Sequence, residues 1–99
     1  MAGFDAGGLD EVIHGRMRLG IMAYLAQSDP AGFTELAQVL GATNGNLSVH
    51  LTRLERAGYV TITKDTRGKR PHTAVALTEA GRAAWRAYLD TMRTLFPET

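Results

Sequence analysis

The chain has 99 residues, of which 44% are hydrophobic, and a formal net charge of +1. This length supports one domain with a single core and leaves little room for a separate catalytic or ligand-binding domain. The absence of cysteine excludes disulfides, thiolate metal sites and a cysteine nucleophile, and it is compatible with a reducing cytoplasm.

The start of the chain has none of the features of a targeting segment. Residues 1–8 contain no basic stretch and no apolar core, and no apolar run in the chain approaches the ~18 residues of a membrane span. We therefore expect a soluble, unexported, cytoplasmic protein. The expected organisation is a flexible, Gly-rich N-terminus at residues 1–8, one domain at residues 9–96 and a C-terminal tail at residues 97–99.

Apolar residues at helical spacing predict a first helix from Leu9 to Gln27. The helix is expected to end before Ser28-Asp29-Pro30, because the residue that precedes a proline disfavours the α conformation. Its apolar positions are Val12, Ile13, Met17, Gly20, Ile21, Tyr24 and Leu25.

Two short helices joined by a tight turn are predicted next. Phe33 is expected to form a short extended anchor, and Thr34 is expected to cap a second helix that ends at Gly41. Thr43 is the expected N-cap of the third helix. Two helices connected in this way form a helix-turn-helix. The second helix is expected to bury Leu36, Ala37, Val39 and Leu40.

The third helix combines a narrow apolar stripe with an unusual polar face. Leu51 and Leu54 lie within about 40° of Leu47 on a helical projection, so these three leucines are expected to face a core. A typical surface helix carries Glu/Lys pairs on its outer face rather than Asn, Ser and Thr, which are poor helix formers. Amides pair with adenine, guanidinium groups with guanine and methyl-bearing groups with thymine, so this face predicts reading of a major groove. It carries Gly45, Asn46, Ser48, Val49, Thr52, Arg53 and Arg56.

A β-hairpin is predicted after the third helix, from alternating segments at residues 59–64 and 72–77. Residues 53–70 contain six Lys/Arg and two acidic residues, so the positive charge of the chain is concentrated there. Cations held close together repel one another, and a polyanion would relieve that repulsion. The alternative is a solvated loop whose charges prevent edge-to-edge aggregation. The predicted turn contains Gly68 and three cations, Arg67, Lys69 and Arg70.

The last predicted helix begins at the cap Thr78, runs to Phe96 and carries a wide, partly aromatic apolar stripe. Because the other elements already supply a core, part of this stripe and of the first helix is expected to contact a second subunit. Packing of the two helices within one chain is the alternative. A dimer would place two recognition helices about 34 Å apart. The predicted interface consists of Val12, Ile13, Met17, Tyr24, Trp85, Tyr88, Leu89, Met92, Leu95 and Phe96.

Four motifs follow one another at a characteristic spacing: Gly45-Asn46-Leu47-Ser48, Ala57-Gly58-Tyr59-Val60, Gly68-Lys69-Arg70-Pro71 and Leu77-Thr78-Glu79-Ala80-Gly81-Arg82. In the order and spacing of these motifs, the chain resembles the small single-domain winged-helix regulators allied to the MarR and ArsR families, over nearly its whole length. The resemblance implies a mainly α fold with a small β-hairpin, a winged helix-turn-helix whose N- and C-terminal helices form a dimer interface. It also implies a bacterial or archaeal transcription factor.

The resemblance implies base contacts by Asn44, Asn46, Ser48, Val49 and Arg53, with the wing at the flanking backbone. The thiolate pair of many ArsR-like metal sensors is absent. The expected function is a sequence-specific transcriptional regulator, a repressor, that binds double-stranded DNA as a homodimer on a near-palindromic operator. The predicted DNA-binding residues are Thr43, Asn44, Asn46, Ser48, Val49, Thr52, Arg53, Arg56, Lys64, Arg67, Lys69 and Arg70.

The main alternative function is a winged-helix protein-docking or antirepressor module that binds no operator. An RNA-binding role would favour aromatic residues at the basic surface, and residues 53–70 offer only Tyr59. A docking module would not need its positive charge gathered at the hairpin turn.

Catalytic and metal-binding functions find little support in the chain. His14, His50 and His72 are not at metal-ligand spacing, so we expect no cofactor, and we expect His50 to pack across the helix-turn-helix. No nucleophile, base and acid form a recognisable catalytic set, so we expect no enzyme activity. A small-molecule effector pocket is conceivable at the dimer interface, around Tyr24 and the aromatic residues of the last helix.

Overall fold

The computed structural model describes residues 8–96. The three strands, β1 (Ala31–Gly32), β2 (Val60–Arg67) and β3 (Arg70–Leu77), form an antiparallel sheet in the order β1-β3-β2. The predicted mainly α fold with a small hairpin is confirmed. Residues 1–7 of the expected flexible N-terminus and the expected tail at residues 97–99 lie outside the described residues. The elements in chain order are α1 (Arg16–Gln27), β1 (Ala31–Gly32), α2 (Phe33–Leu40), α3 (Asn44–Arg56), β2 (Val60–Arg67), β3 (Arg70–Leu77) and α4 (Glu79–Leu95).

The first helix is shorter than predicted, because it begins at Arg16 and not at Leu9. The Asp10 carboxylate accepts hydrogen bonds from the backbone N–H groups of Val12 at 2.8 Å and Ile13 at 3.4 Å. Such local bonds from an aspartate side chain compete with helix formation. Gly15 then adopts an extended backbone, with φ −157° and ψ 139°, immediately before the helix. The end of α1 at Gln27 is as predicted.

The start of α2 also differs from the prediction. Gly32 is the N-cap residue in place of Thr34, and its backbone N–H donates a hydrogen bond to the Glu35 carboxylate at 3.2 Å. Phe33 is the first helical residue rather than an extended one. The extended residues are those of β1, which pairs with β3 through Ala31 opposite Val75.

Three of the four apolar residues expected to be buried on α2 contact the core, and Val39 does not. Leu36 and Ala37 are buried and Leu40 is half-buried, whereas Val39 is 54% exposed. Val39 lies about 100° from the centre of the stripe formed by the other three residues on a helical projection, and this places it toward solvent.

The predicted turn between α2 and α3 is confirmed in its main features. Gly41 ends α2 in the left-handed conformation, with φ +63°, which favours glycine. Thr43 caps α3, since its side-chain oxygen accepts a hydrogen bond from the Asn46 N–H at 3.1 Å. The three leucines of the α3 stripe are buried, so the opposite face of the helix is directed away from the core.

The core lies between the helices and the proximal half of the sheet. Val60 of β2 is buried and Ile62 is half-buried, but residues 63–67 are all exposed. The distal half of the hairpin therefore projects from the body as a wing. Its loop consists of Gly68 and Lys69, and the φ of +65° at Gly68 suits the first central position of a type II′ turn. The largest buried side chains are Ile13, Ile21, Met22, Leu25, Leu36, Leu47, Leu51, Leu54, Val60, Val75 and Tyr88.

The last helix is fixed to the start of the hairpin. Thr78 caps α4, since its hydroxyl oxygen accepts a hydrogen bond from the Gly81 N–H at 2.9 Å and donates one to the Gly58 carbonyl at 2.6 Å. Arg82 forms an ion pair with Asp29, before β1. Within residues 8–96, no helix combines the length and the apolar character that crossing a membrane requires.

Candidate nucleic-acid interface

The face of α3 opposite its leucine stripe is exposed along its whole length. We call the following residues the α3 face: Asn44, Asn46, Ser48, Val49, Arg53 and Arg56, all of which are exposed. Polar amides and a hydroxyl occupy its N-terminal half, and guanidinium groups occupy its last turn. The cap Thr43 is also exposed. The predicted residues of this helix, with the exception of Thr52, are therefore all exposed, and Asn44 lies at the edge of the face, about 60° from Leu47 on a helical projection.

Thr52 differs from the other predicted residues of α3. It is half-buried, and its hydroxyl donates a hydrogen bond to the Ser48 carbonyl at 2.9 Å. Thr52 also lines a groove between α3 and the hairpin. That groove has a volume of about 650 Å³ and also contains Ser48, Lys64 and Thr73.

The wing carries its cations at the end farthest from the core. Arg67 and Arg70 are directly opposite each other across the β2-β3 ladder, and Lys69 lies in the loop between them. We call residues 67–70 the wing tip. Like charges directly opposite in a hairpin are destabilising, so this arrangement lowers the stability of the free wing and favours an anionic partner.

None of the six predicted cations of this surface forms an ion pair within the described part of the chain. The ion pairs among residues 8–96 join Arg82 to Asp29 and Arg93 to Asp90. The unpaired side chains produce a positive potential over α3 and the wing. The six are Arg53, Arg56, Lys64, Arg67, Lys69 and Arg70.

Comparison with known proteins agrees with this geometry. Residues 17–96 match the model of the winged helix DNA-binding domain. The chain belongs to this family. Its helix-turn-helix therefore comprises α2 and α3.

Relatives of this winged-helix protein come from archaea and bacteria. It is 32% identical to an uncharacterised protein of Methanocaldococcus jannaschii over 79 residues, which cover 80% of this chain and 86% of the relative. It is similar to a transcriptional regulator homologue from Pyrococcus horikoshii OT3, with a TM-score of 0.84, 32% identity and coverage of 97% of this chain and 95% of that one. A MarR-like transcriptional regulator from Thermotoga maritima gives a TM-score of 0.61 and 28% identity, with 79% and 55% of the two chains covered. The fold is therefore that of MarR-like winged-helix transcriptional regulators.

One cation beside α3 was not predicted. Arg16, the first residue of α1, is exposed and lines a depression together with Asn46 and His50. The predicted helix from Leu9 to Gln27 placed Arg16 in the middle of α1. Recognising Gly15 as the residue before the helix would have placed Arg16 at the beginning of α1. The structure shows that this end of α1 lies next to Asn46 and His50 of α3.

Contacts from α1 and from the segment before it hold α3 of this winged-helix domain from the side. The Arg18 guanidinium bonds to Nδ1 of His50 at 3.0 Å and donates to the Val12 carbonyl. Asp10 accepts a hydrogen bond from the Tyr59 hydroxyl, which follows α3. This bond, together with burial and the carboxylate charge, raises the pKa of Tyr59 to about 12. Residues far apart in the sequence thus set the position of α3.

The contact of His50 with Arg18 has a consequence for pH dependence. Burial, followed by the positive charges of Arg18 and Arg53, lowers the pKa of His50 below its ordinary value of 6.5. A histidine whose pKa is lowered by folding stabilises the protein above pH 6.5, and this contribution is lost as the pH falls through the folded-state value. As the pH is lowered below 6.5, we expect the urea concentration at the midpoint of unfolding to decrease for the wild type. The midpoint of His50→Gln should decrease less steeply with pH.

His72, in the wing, provides the control for this measurement, because it lies outside the Arg18 contact. His72→Gln is expected to retain the wild-type pH dependence. A slope in His50→Gln as steep as in the wild type would show that other groups cause the acid sensitivity.

The other histidines do not form a metal site with His50. His14 Nδ1 bonds to the Tyr88 hydroxyl at 2.8 Å, and His72 lies on β3. Within the described residues, no three His, Asp or Glu side chains are grouped as metal ligands.

The predicted dimer-interface residues differ in how deeply they are buried within the single chain. Ile13 and Tyr88 are buried in the core of the single chain, and their assignment to the interface stays a prediction. Val12 lies in a depression beside Val49 of α3. Phe96, at the end of α4, is 73% exposed. The half-buried residues are Val12, Met17, Tyr24, Trp85, Leu89, Met92 and Leu95.

The three aromatic side chains considered for an effector pocket have separate contacts. Trp85 and Tyr88 stack on each other, with ring centroids 5.8 Å apart and an angle of 7° between the ring planes. The Tyr24 hydroxyl instead donates a hydrogen bond to Glu35 of α2, which lowers the pKa of Glu35 and raises that of Tyr24.

Proposed function

We propose that this protein is a non-enzymatic, cytoplasmic transcriptional repressor that binds a near-palindromic operator as a homodimer. The observation that carries the proposal is the pair of exposed surfaces on either side of the α3-hairpin groove, the α3 face and the wing, whose six cations form no ion pair within residues 8–96. Membership of the winged-helix DNA-binding family supports double-stranded DNA as the polyanion.

The proposed complex assigns different roles to the two parts of the surface. The α3 face enters the major groove, where Asn44, Asn46 and Ser48 contact base edges and the arginines of the last turn reach guanine or phosphate. The wing tip contacts the flanking sugar-phosphate backbone. Bound at a promoter, the protein blocks access of the polymerase.

The apolar stripe of α4 supports the proposed dimer. Trp85, Leu89, Met92 and Leu95 are only half-buried, and Phe96 is exposed. A second copy related by a two-fold axis would cover these side chains. The two recognition helices would then lie about 34 Å apart and contact successive major grooves on one side of the duplex. The proposed site for a small-molecule effector at this interface lies between α1 and α4.

The test of this function is selection of bound sequences from a random duplex library at physiological salt, with the mass of the free protein measured in parallel. A two-fold symmetric motif with half-sites about one helical turn apart, together with the mass of a dimer, is the expected result. Failure to bind any duplex would favour the protein-docking alternative. Enrichment of an asymmetric motif by a monomer would contradict the dimer.

Replacement of Asn46 by alanine is expected to act at one position of the operator. The variant should lose about 1–3 kcal/mol of binding free energy for the selected sequence and discriminate less among bases at that position. Competition binding against the four possible base pairs measures this effect. Gln38→Ala removes an exposed amide from α2 and should leave the preference unchanged. Full specificity in Asn46→Ala would show that this residue does not read a base.

A further inference from the structure

Val49 is an unusual residue for the exposed surface of a helix. Its side chain is 66% exposed, and the other large hydrophobic residues with comparable exposure among residues 8–96 are Val39 on α2 and Phe96 at the end of α4. On a helical projection Val49 lies at the centre of the α3 face, almost opposite the middle of the leucine stripe. An apolar side chain thus occupies the middle of an otherwise polar, cationic surface.

The neighbours of Val49 along the helix leave it accessible. One turn before it is Gly45, and a Cβ built there would meet no atom within 4 Å. One turn after it is Arg53, which is also exposed. The lack of a side chain at Gly45 allows a partner to approach the helix closely on the N-terminal side of Val49.

The charges around Val49 indicate which kind of partner covers it. Arg53 and Arg56 line the same shallow depression as Val49, together with Val12 and Ala57, and neither arginine has an acidic partner in the described part of the chain. A second copy of this face would bring like charges together. DNA instead supplies phosphates for the arginines and, in its major groove, one exposed apolar group, the C5-methyl of thymine.

We propose that Val49 contacts the C5-methyl group of a thymine, so that each half-site of the operator has a T·A pair opposite the middle of α3. This inference rests on the proposed function, because it requires α3 to lie in a major groove. It assigns sequence discrimination to an apolar contact at the centre of the surface.

Deoxyuridine differs from thymidine only in lacking this methyl group, so it gives a direct test. Each thymine in one half-site of the selected duplex is replaced in turn by deoxyuridine, and the Kd is measured for the wild type and for Val49→Ala. We expect one substitution to weaken the wild type about fourfold, the effect of removing one buried methyl group. The same substitution should have a smaller effect on Val49→Ala, whose side chain is two methyl groups shorter.

Val39→Ala is the matched control, since it shortens an exposed valine on α2 outside the α3 face. It should remain as sensitive to deoxyuridine as the wild type. Alanine is a better helix former than valine, so neither variant is expected to unfold, and a thermal melt checks this. If no deoxyuridine substitution weakens the wild type, or if Val49→Ala keeps the same sensitivity, the inference is overturned while DNA binding by the protein still stands. Absence of binding to any duplex would instead overturn the proposed function.

Discussion

Replacement of Arg67, Lys69 and Arg70 by alanine is expected to weaken DNA binding about 100-fold per subunit at ~0.15 M salt, to the same degree for every duplex sequence. Each lost phosphate contact releases about one counterion fewer, so the slope of log K against log salt should fall by about three per subunit. The three side chains lie at the wing tip and form no ion pair among the described residues. Fluorescence anisotropy at several salt concentrations measures both quantities.

Cations outside the proposed interface provide the comparison for this experiment. Arg86 and Arg93 are exposed on α4, and the Arg86→Ala/Arg93→Ala variant should retain the wild-type salt slope. Two results would count against the wing contact: an unchanged slope in the wing-tip variant, or a loss of affinity for one sequence alone.

Replacement of Gly81 by alanine is expected to reduce the free energy of unfolding by about 3 kcal/mol or more. A Cβ at this position would lie 2.1 Å from the carbonyl oxygen of Tyr59 and 2.9 Å from its carbonyl carbon. That oxygen also accepts a hydrogen bond from the Thr78 N–H at 3.0 Å. The clash involves backbone atoms, so α4 must move away from the hairpin. Urea denaturation measures the loss.

Gly45→Ala is the control for this prediction, because both glycines are helical but only Gly81 is enclosed. With no atom within 4 Å of the new Cβ, alanine at position 45 should stabilise the protein by about 0.5 kcal/mol through its better helix propensity. Equal stability of Gly81→Ala and the wild type would show that α4 tolerates a wider separation from β2.

The features that local sequence determines were predicted well. The leucine spacing of α3 defines its buried stripe, and the hydroxyls of Thr43 and Thr78 each accept a backbone N–H at the start of a helix. The glycine at the hairpin tip lies where the turn needs a positive φ. In each case the responsible residues lie within a few positions of one another, so periodicity and capping rules apply directly.

The features that depend on distant residues were not predicted. Strand β1 has only two residues, and its partners on β3 lie more than forty positions later in the chain. The Asp10 carboxylate, which bonds to the backbone before α1, also accepts a hydrogen bond from Tyr59, 49 positions later in the chain. The position of Arg16 beside Asn46 and His50 was missed because the predicted α1 began seven residues too early. The assignment of individual residues to DNA and to a second subunit stays a prediction.

The opposed arginines of the wing tip make ionic strength act on this protein in two opposite ways. Counterions screen the repulsion between Arg67 and Arg70 and so favour a well-formed hairpin in the free protein. The same counterions compete with the wing for phosphates and so favour the free protein over the complex. High ionic strength therefore orders the wing of the free protein best and weakens its binding to DNA most. In the complex, the phosphates themselves offset the repulsion between the two arginines.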